Sequence, residues 1–151
     1  MENMQLKEIV LKIIPGIEIK ETNQYLEIEV SSDRLHDIAF ALRNTPELHF
    51  DYLYCLTGVD LPDCFMIVSH LESTLHKHQL VLKTKTTGRE NPELDTVSDI
   101  WPTAGFHERE VYDLMGVKFN HHTDLRRLFL DDDWGFPLRK DYRDEINIIE
   151  R

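Results

Sequence analysis

Three closely spaced runs decide the fold: Phe50–Val59 (FDYLYCLTGV), Phe65–Leu71 (FMIVSHL) and Lys77–Lys85 (KHQLVLKTK). All three read as strands. Leu61-Pro62-Asp63 separates the first pair and Ser73-Thr74 the second. Strands joined by so few residues pair antiparallel, because a parallel crossover needs about a dozen residues or more. Upstream, Ile17–Lys20 and Leu26–Val30 alternate apolar and polar residues around the polar turn Glu21–Gln24, which predicts a hairpin with one wet face. Leu6, Ile9, Val10, Ile13 and Ile14 fall at helical spacing and stop at Pro15-Gly16. A second helix is expected from Ser31 or Ser32, as a cap, to about Arg43, with Leu35, Ile38, Ala39 and Leu42 on one side. The order is helix, hairpin, helix and three strands. The fold class is therefore α+β, a mainly antiparallel sheet with helices packed on one face.

The last third is built differently. Thr86–Glu93 reads as a polar loop, Ser98–Trp101 as a short turn, and Thr103–Met115 as a helix stopped by Gly116. Beyond Val117 no period persists. Asn120–Asp144 mixes Arg126, Arg127, Arg139, Lys140 and Arg143 with six aspartates, Phe129, Trp134, Phe136 and Tyr142. Polar disorder would not carry so many aromatics, and a structureless stretch this long is unusual inside a compact domain. We read residues 1–116 as the α+β domain and residues 117–151 as an extended C-terminal arm that becomes ordered by lying on something.

Composition bounds the partners. The 151 residues carry 17 basic and 28 acidic side chains, a formal net charge of −11. That balance argues against nucleic acid, whose phosphates call for a basic face, and against electrostatic docking on anionic lipid. The longest apolar runs are far below the roughly 20 residues that span a bilayer. Cys55 and Cys64 read as reduced thiols. In an apolar strand Cys55 is a small hydrophobe rather than a nucleophile.

The charged residues of the last helix are the first candidates for chemistry. Glu108, Arg109 and Glu110 step about 100° each around a helix, so the three charges cannot share one face. At least one turns toward the side that Val111, Leu114 and Met115 bury, and a buried charge requires a partner. Arg109 and Asp113, four apart, can pair along the helix. Spacing alone favours a solvated helix with that local salt bridge; the alternative is a charge network locking the helix to the following loop or to a neighbouring protein. Arg126-Arg127 and the Pro137–Tyr142 block suit carboxylate recognition at an interface, against a reading as scattered surface charge. His76-x-His78 and His121-His122 bring no third ligand at a recognisable metal spacing, and two thiols fall short of an iron–sulfur set.

Trp101-Pro102, Glu108–Gly116, His122, Asp124–Leu128 and Pro137–Tyr142, in this order, resemble the signature of one NADH-quinone oxidoreductase family, that of the C-type or 30 kDa subunit of respiratory complex I. Upstream, Leu56–Asp60 looks like the end of that family's central strand. Phe106 stands where many members have tryptophan, and His121-His122-Thr123 where many have Gly-His-Pro. The resemblance implies a structural subunit in the peripheral arm of a proton-translocating complex that moves electrons from NADH through FMN and iron–sulfur clusters to quinone. It implies no cofactor in this chain (FMN, clusters and quinone belong to other subunits) and no activity of the chain alone. It implies docking of the C-terminal arm on the D-type or 49 kDa subunit, with the B- and I-type subunits nearby, on the cytoplasmic side of the bacterial inner membrane. The residues it singles out for the motif and interface are Glu108, Arg109, Glu110, Asp113, Gly116, His122, Arg126, Arg127, Pro137, Arg139, Lys140 and Asp141. The alternative within this resemblance is the corresponding subunit of a membrane-bound hydrogenase or a ferredoxin- or F420-linked respiratory complex. Outside it stands a metal-dependent enzyme using His76, His78 and His122.

Overall fold

The structure, a computed structural model, describes residues 3–22 and 24–144. The end of the expected arm, residues 145–151, lies outside the described residues. The chain runs α1 (Asn3–Ile13), β1 (Glu18–Glu21), β2 (Leu26–Val30), α2 (Leu35–Asn44), β3 (Tyr52–Asp60), β4 (Phe65–Ser73), β5 (His78–Lys85), β6 (Glu93–Asp95), α3 (Ala104–Met115) and β7 (Lys118–Asn120). The expected α+β class holds. A five-stranded sheet has the order β1-β2-β5-β4-β3, and its core-facing residues join the buried faces of the helices in one apolar cluster.

Side-chain alternation underlies this arrangement. Leu26, Ile28 and Val30 of β2, Leu80 and Leu82 of β5, and Phe65, Ile67 and Leu71 of β4 are buried on one face. Leu35, Ile38, Ala39 and Leu42 of α2 are buried as their spacing predicts. Neither Ser31 nor Ser32 caps that helix. A 3-10 turn, Ser32–Arg34, precedes it, and Ser31 instead engages the Asp33 carboxylate.

Two features depart from the local reading of the sequence. First, β3-β4 and β4-β5 are antiparallel as expected, but β5 also lies parallel to β2. The wet face marks that register: Lys83 meets Glu27 and Lys85 meets Glu29, each at 2.6 Å. Pairs on a solvent-facing sheet surface contribute about 1 kcal/mol or less, so these part-exposed ones favour a register more than they stabilise the sheet. Second, the domain continues past Gly116. β7 pairs parallel with β6, and Phe119 and Leu94 are buried in the core. β6, α3 and β7 thus form a small crossover unit, and Thr86–Glu93 stops being a loop at Glu93. Three-residue strands leave no period to read. From His121 to Asp144 there are turns but no further helix or strand. That stretch is folded back on α3 and the end of β3.

Gly58 lets α3 approach the sheet. A Cβ there would stand 2.6 Å from Met115 Sδ and 3.2 Å from Val111 Cγ1. Gly58→Val is expected to destabilise the chain by about 1–3 kcal/mol through overpacking, read as a lower urea midpoint with an unchanged slope.

Candidate docking site: the junction of α3 and the arm

α3 begins beside two tethers to the sheet. Trp101, 1% exposed, donates its indole N–H to the Phe50 carbonyl at 2.8 Å, and Thr103 Oγ1 donates to the Leu53 carbonyl at 2.7 Å. The helix ends at Gly116, whose φ of 75° is the left-handed cap that glycine tolerates.

Between these ends, three of the four signature charges point inward: Glu108 and Asp113 are 0% exposed and Arg109 is 6% exposed. The solvated-helix reading is therefore overturned. The Arg109–Asp113 pair is replaced as well, because each side chain is engaged by the arm. Asp113 Oδ2 accepts the backbone N–H groups of Leu128 at 3.2 Å, Phe129 at 2.7 Å and Leu130 at 3.2 Å. Successive N–H groups turned onto one anion form a nest. Arg127 Nη1 lies 3.4 Å from Asp113 Oδ1, and the same guanidinium donates to the Gly135 and Trp134 carbonyls. Arg109 donates from Nε to the Arg126 carbonyl at 3.2 Å and from Nη2 to the Arg127 carbonyl at 3.0 Å. Carboxylate and guanidinium together satisfy backbone groups that the arm, lacking secondary structure, cannot satisfy itself.

Glu108 fastens the other side of α3. Its carboxylate accepts the Val97 N–H at 2.8 Å and the Thr96 hydroxyl at 2.5 Å. His122 Nε2 lies 3.7 Å away. His122 Nδ1 accepts the Asp124 N–H, so Nε2 carries the proton and donates to the Gly105 carbonyl at 3.0 Å. Burial pushes the Glu108 carboxyl up to about 7, against the two hydrogen bonds that favour its charged form.

The arm's far end is clamped at the end of β3. Asp60, 4% exposed, is ion-paired with Arg89 and accepts the Lys140 N–H at 2.8 Å. The Arg89 hydrogen bond holds the Asp60 carboxyl below the usual carboxylate range. Arg89 also reaches Asp141 at 3.3 Å. After Pro137, Leu138 N–H donates to the Leu114 carbonyl at 3.0 Å, and Arg139 Nε donates to the Met115 carbonyl at 2.7 Å. The open end of α3 is thereby capped by the arm. Phe136 closes on Gly116 so tightly that a Cβ there would sit 2.6 Å from its ring.

The twelve residues singled out by the sequence thus divide. Glu108, Arg109, Asp113, Gly116, His122, Arg127, Pro137 and Arg139 gather at this junction. Arg127 and Arg139, expected to reach a neighbour's carboxylates, are engaged with the chain's own carbonyls. Glu110 is exposed, Arg126 is exposed and paired with Asp124, and Lys140 and Asp141 lie at the Asp60 clamp. Thr96, Asp60 and Arg89 were not singled out as partners. A charge ending an apolar strand was the available signal for Asp60; Arg89 offered none. His76 and His78 donate Nε2–H to the Pro46 and Leu48 carbonyls, and among the described residues no group of three or more metal-ligating side chains gathers.

The family model described as "Respiratory-chain NADH dehydrogenase, 30 Kd subunit" matches residues 28–146. The chain belongs to this family. The match takes in the whole junction, from Asp60 to Lys140. Among 30 Kd relatives, the C subunit of NADH-quinone oxidoreductase from Chlorobium phaeobacteroides is 40% identical over 134 residues, covering 86% of this chain and 80% of its own length. The C/D subunit of NADH-quinone oxidoreductase from Phocaeicola vulgatus is 49% identical over 122 residues, 80% of this chain but only 23% of that longer relative. Among solved structures, a chain from the membrane-bound sulfane sulfur reductase, an archaeal respiratory membrane complex, superposes with a TM-score of 0.81 at 26% identity. That superposition covers 95% of this chain and 86% of the other.

Two outcomes test the junction. Asp113→Ala strands three N–H groups and Arg127, and is expected to cost about 3–5 kcal/mol, with the loss of amide-exchange protection concentrated at Leu128–Leu130. Because the Glu108 carboxyl is raised from 4.5 to about 7, its stabilising contribution is full below about pH 4.5 and lost as pH rises through about 7. Glu108→Gln is expected to flatten the fall in stability between pH 5 and 8, measured by urea unfolding across that range.

Proposed function

We propose that this chain is a structural subunit in the peripheral arm of an NADH-quinone oxidoreductase of the complex I type, and that its C-terminal arm docks on the D-type subunit. The observation that carries the reading is a segment held in place by its own domain that exposes large apolar side chains among its charges. The charges of α3 hold the arm to its own domain, while Phe106, Phe129, Trp134 and Leu138 are 67%, 68%, 40% and 55% exposed on and beside it. Large apolar side chains displayed on an already ordered backbone make an interface core at low entropic cost. The Phocaeicola vulgatus relative bears both the C and the D designation in one protein. A tether of that kind is productive when the joined parts bind each other.

In this reading electrons pass from NADH through FMN and iron–sulfur clusters to quinone in other subunits, with B- and I-type subunits nearby. The chain contributes shape rather than redox chemistry. Its place is on the cytoplasmic side of the bacterial inner membrane, as a peripheral component. Among the described residues no helix is long and apolar enough to cross a membrane. The second reading, a matching subunit in a related respiratory complex, is favoured by the likeness to the sulfane sulfur reductase chain. The 40% and 49% identities favour the quinone-linked one.

The test is co-purification of the D-type subunit from native membranes. Phe129→Ser combined with Trp134→Ser is expected to cut its recovery at least about ten-fold, while the unfolding temperature of the isolated chain moves by only a few degrees. Unchanged recovery with these variants would refute the docking role.

A further inference from the structure

A cavity of about 650 Å³ opens between the loop that runs from Arg89 to Glu93, the start of β7 and the arm segment from Phe136 to Arg139. One wall is the Arg139 guanidinium, and three constraints fix it. Its Nε donates to the Met115 carbonyl. Its Cζ lies 4.8 Å from the Phe136 centroid and 4.9 Å from that of Phe65. Its Nη2 rests against Gly116, where a Cβ would come within 2.8 Å. What remains is the Nη edge.

Among the described residues no carboxylate lies within ion-pairing distance of Arg139 or of Lys118, another cation on this cavity. Asp60 and Asp141, whose charges act on Arg139, are both paired with Arg89, and Glu93 stands opposite Lys118 in the β6-β7 register without an ion pair to it. Burial pushes the Arg139 pKa down, opposed by the charges of Asp141 and Asp60 and helped by that of Arg89. A half-buried guanidinium held flat, on a cavity it shares with a lysine, has the form of a preorganised carboxylate fork without an ion-paired carboxylate.

The geometry points to a receptor for one acidic side chain of a neighbouring protein, gripped by the Nη edge of Arg139 with Lys118 beside it. The inference rests on the docking reading, and continuity with that surface selects a protein as the source: Phe136, against which Arg139 stacks, stands in the chain between Trp134 and Leu138, both exposed. Charge complementarity agrees. On a chain of net charge −11 this cavity is lined by three cations, Arg89, Lys118 and Arg139, against two glutamates, an excess of positive charge. Glu90 and Glu93, which also line the cavity, limit the site to a single negative charge and favour a partner in which a basic residue adjoins the acidic one.

Two arms test it. In the first, the full chain is titrated with sodium acetate while the backbone N–H resonances of Gly116 and Lys118, which line the cavity, are followed. A saturable shift is expected that sodium chloride at equal ionic strength does not give and that Arg139→Lys weakens at least ten-fold. In the second, Lys118→Glu, a change at an exposed position outside the junction's clamps, is expected to reduce recovery of the D-type subunit at least ten-fold. Glu90→Gln is expected to raise it. If wild-type chain recovers that subunit, but Lys118→Glu and Arg139→Lys recover it equally and acetate gives no saturable shift, the receptor is refuted and docking stands. If acetate binds but wild-type chain recovers no partner, docking falls and with it the protein as the source of the carboxylate.

Discussion

One oxygen of the Asp113 carboxylate collects three consecutive backbone N–H groups, from Leu128, Phe129 and Leu130. An arm without helix or strand has no ladder in which to pair its amides. Left dry and unpaired, each would cost on the order of 1–3 kcal/mol. A charge fixed on a helix supplies what a neighbouring strand would otherwise supply. The rest of the junction follows from that substitution. Arg109 takes the carbonyls just before the nest, Arg127 those just after it, and the aromatic rings of Phe106 and Phe136 stack on the two guanidiniums.

The arrangement works because α3 is itself immobilised. Glu108 fixes it to the segment after β6, Gly58 lets it settle against the sheet, and Trp101 and Thr103 fix its start. A buried carboxylate on a mobile helix would be a liability, since the desolvation cost of the charge is offset only while its partners stay in place. Asp60 performs the same office at the opposite end of the arm. There the partner is a loop arginine, and the backbone caught is that of Lys140.

Much of this was legible in the residues. Alternation in Leu26–Val30 and the tight spacing of β3, β4 and β5 dictate their pairings, and Leu35, Ile38, Ala39 and Leu42 mark the buried side of α2. The step of 100° per residue through Glu108, Arg109 and Glu110 already required a buried charge. It could not say which, because the deciding partners, Thr96 and the amides around Phe129, are a hydroxyl and a stretch of backbone with no side-chain signature. The parallel contact of β2 with β5 was hidden for another reason: it joins segments about fifty residues apart in sequence, and nothing local distinguishes it from an antiparallel alternative. The pairing of β6 with β7 was hidden by brevity. The charges of the arm were read as seeking a neighbour's carboxylates, but Arg127 is engaged within the same chain and Arg139 spends its Nε–H on the Met115 carbonyl.

That parallel contact bears on how the chain comes together. Strand β5 sits between β2 and β4, so the amino-terminal hairpin gains its central neighbour only when residues near Leu80 are available. Contacts that close so large a loop are slow relative to local ones. During synthesis β1 and β2 therefore wait for their central neighbour until the antiparallel unit β3-β4-β5 has formed and slots in beside them. The arm, emerging after them, meets a finished platform.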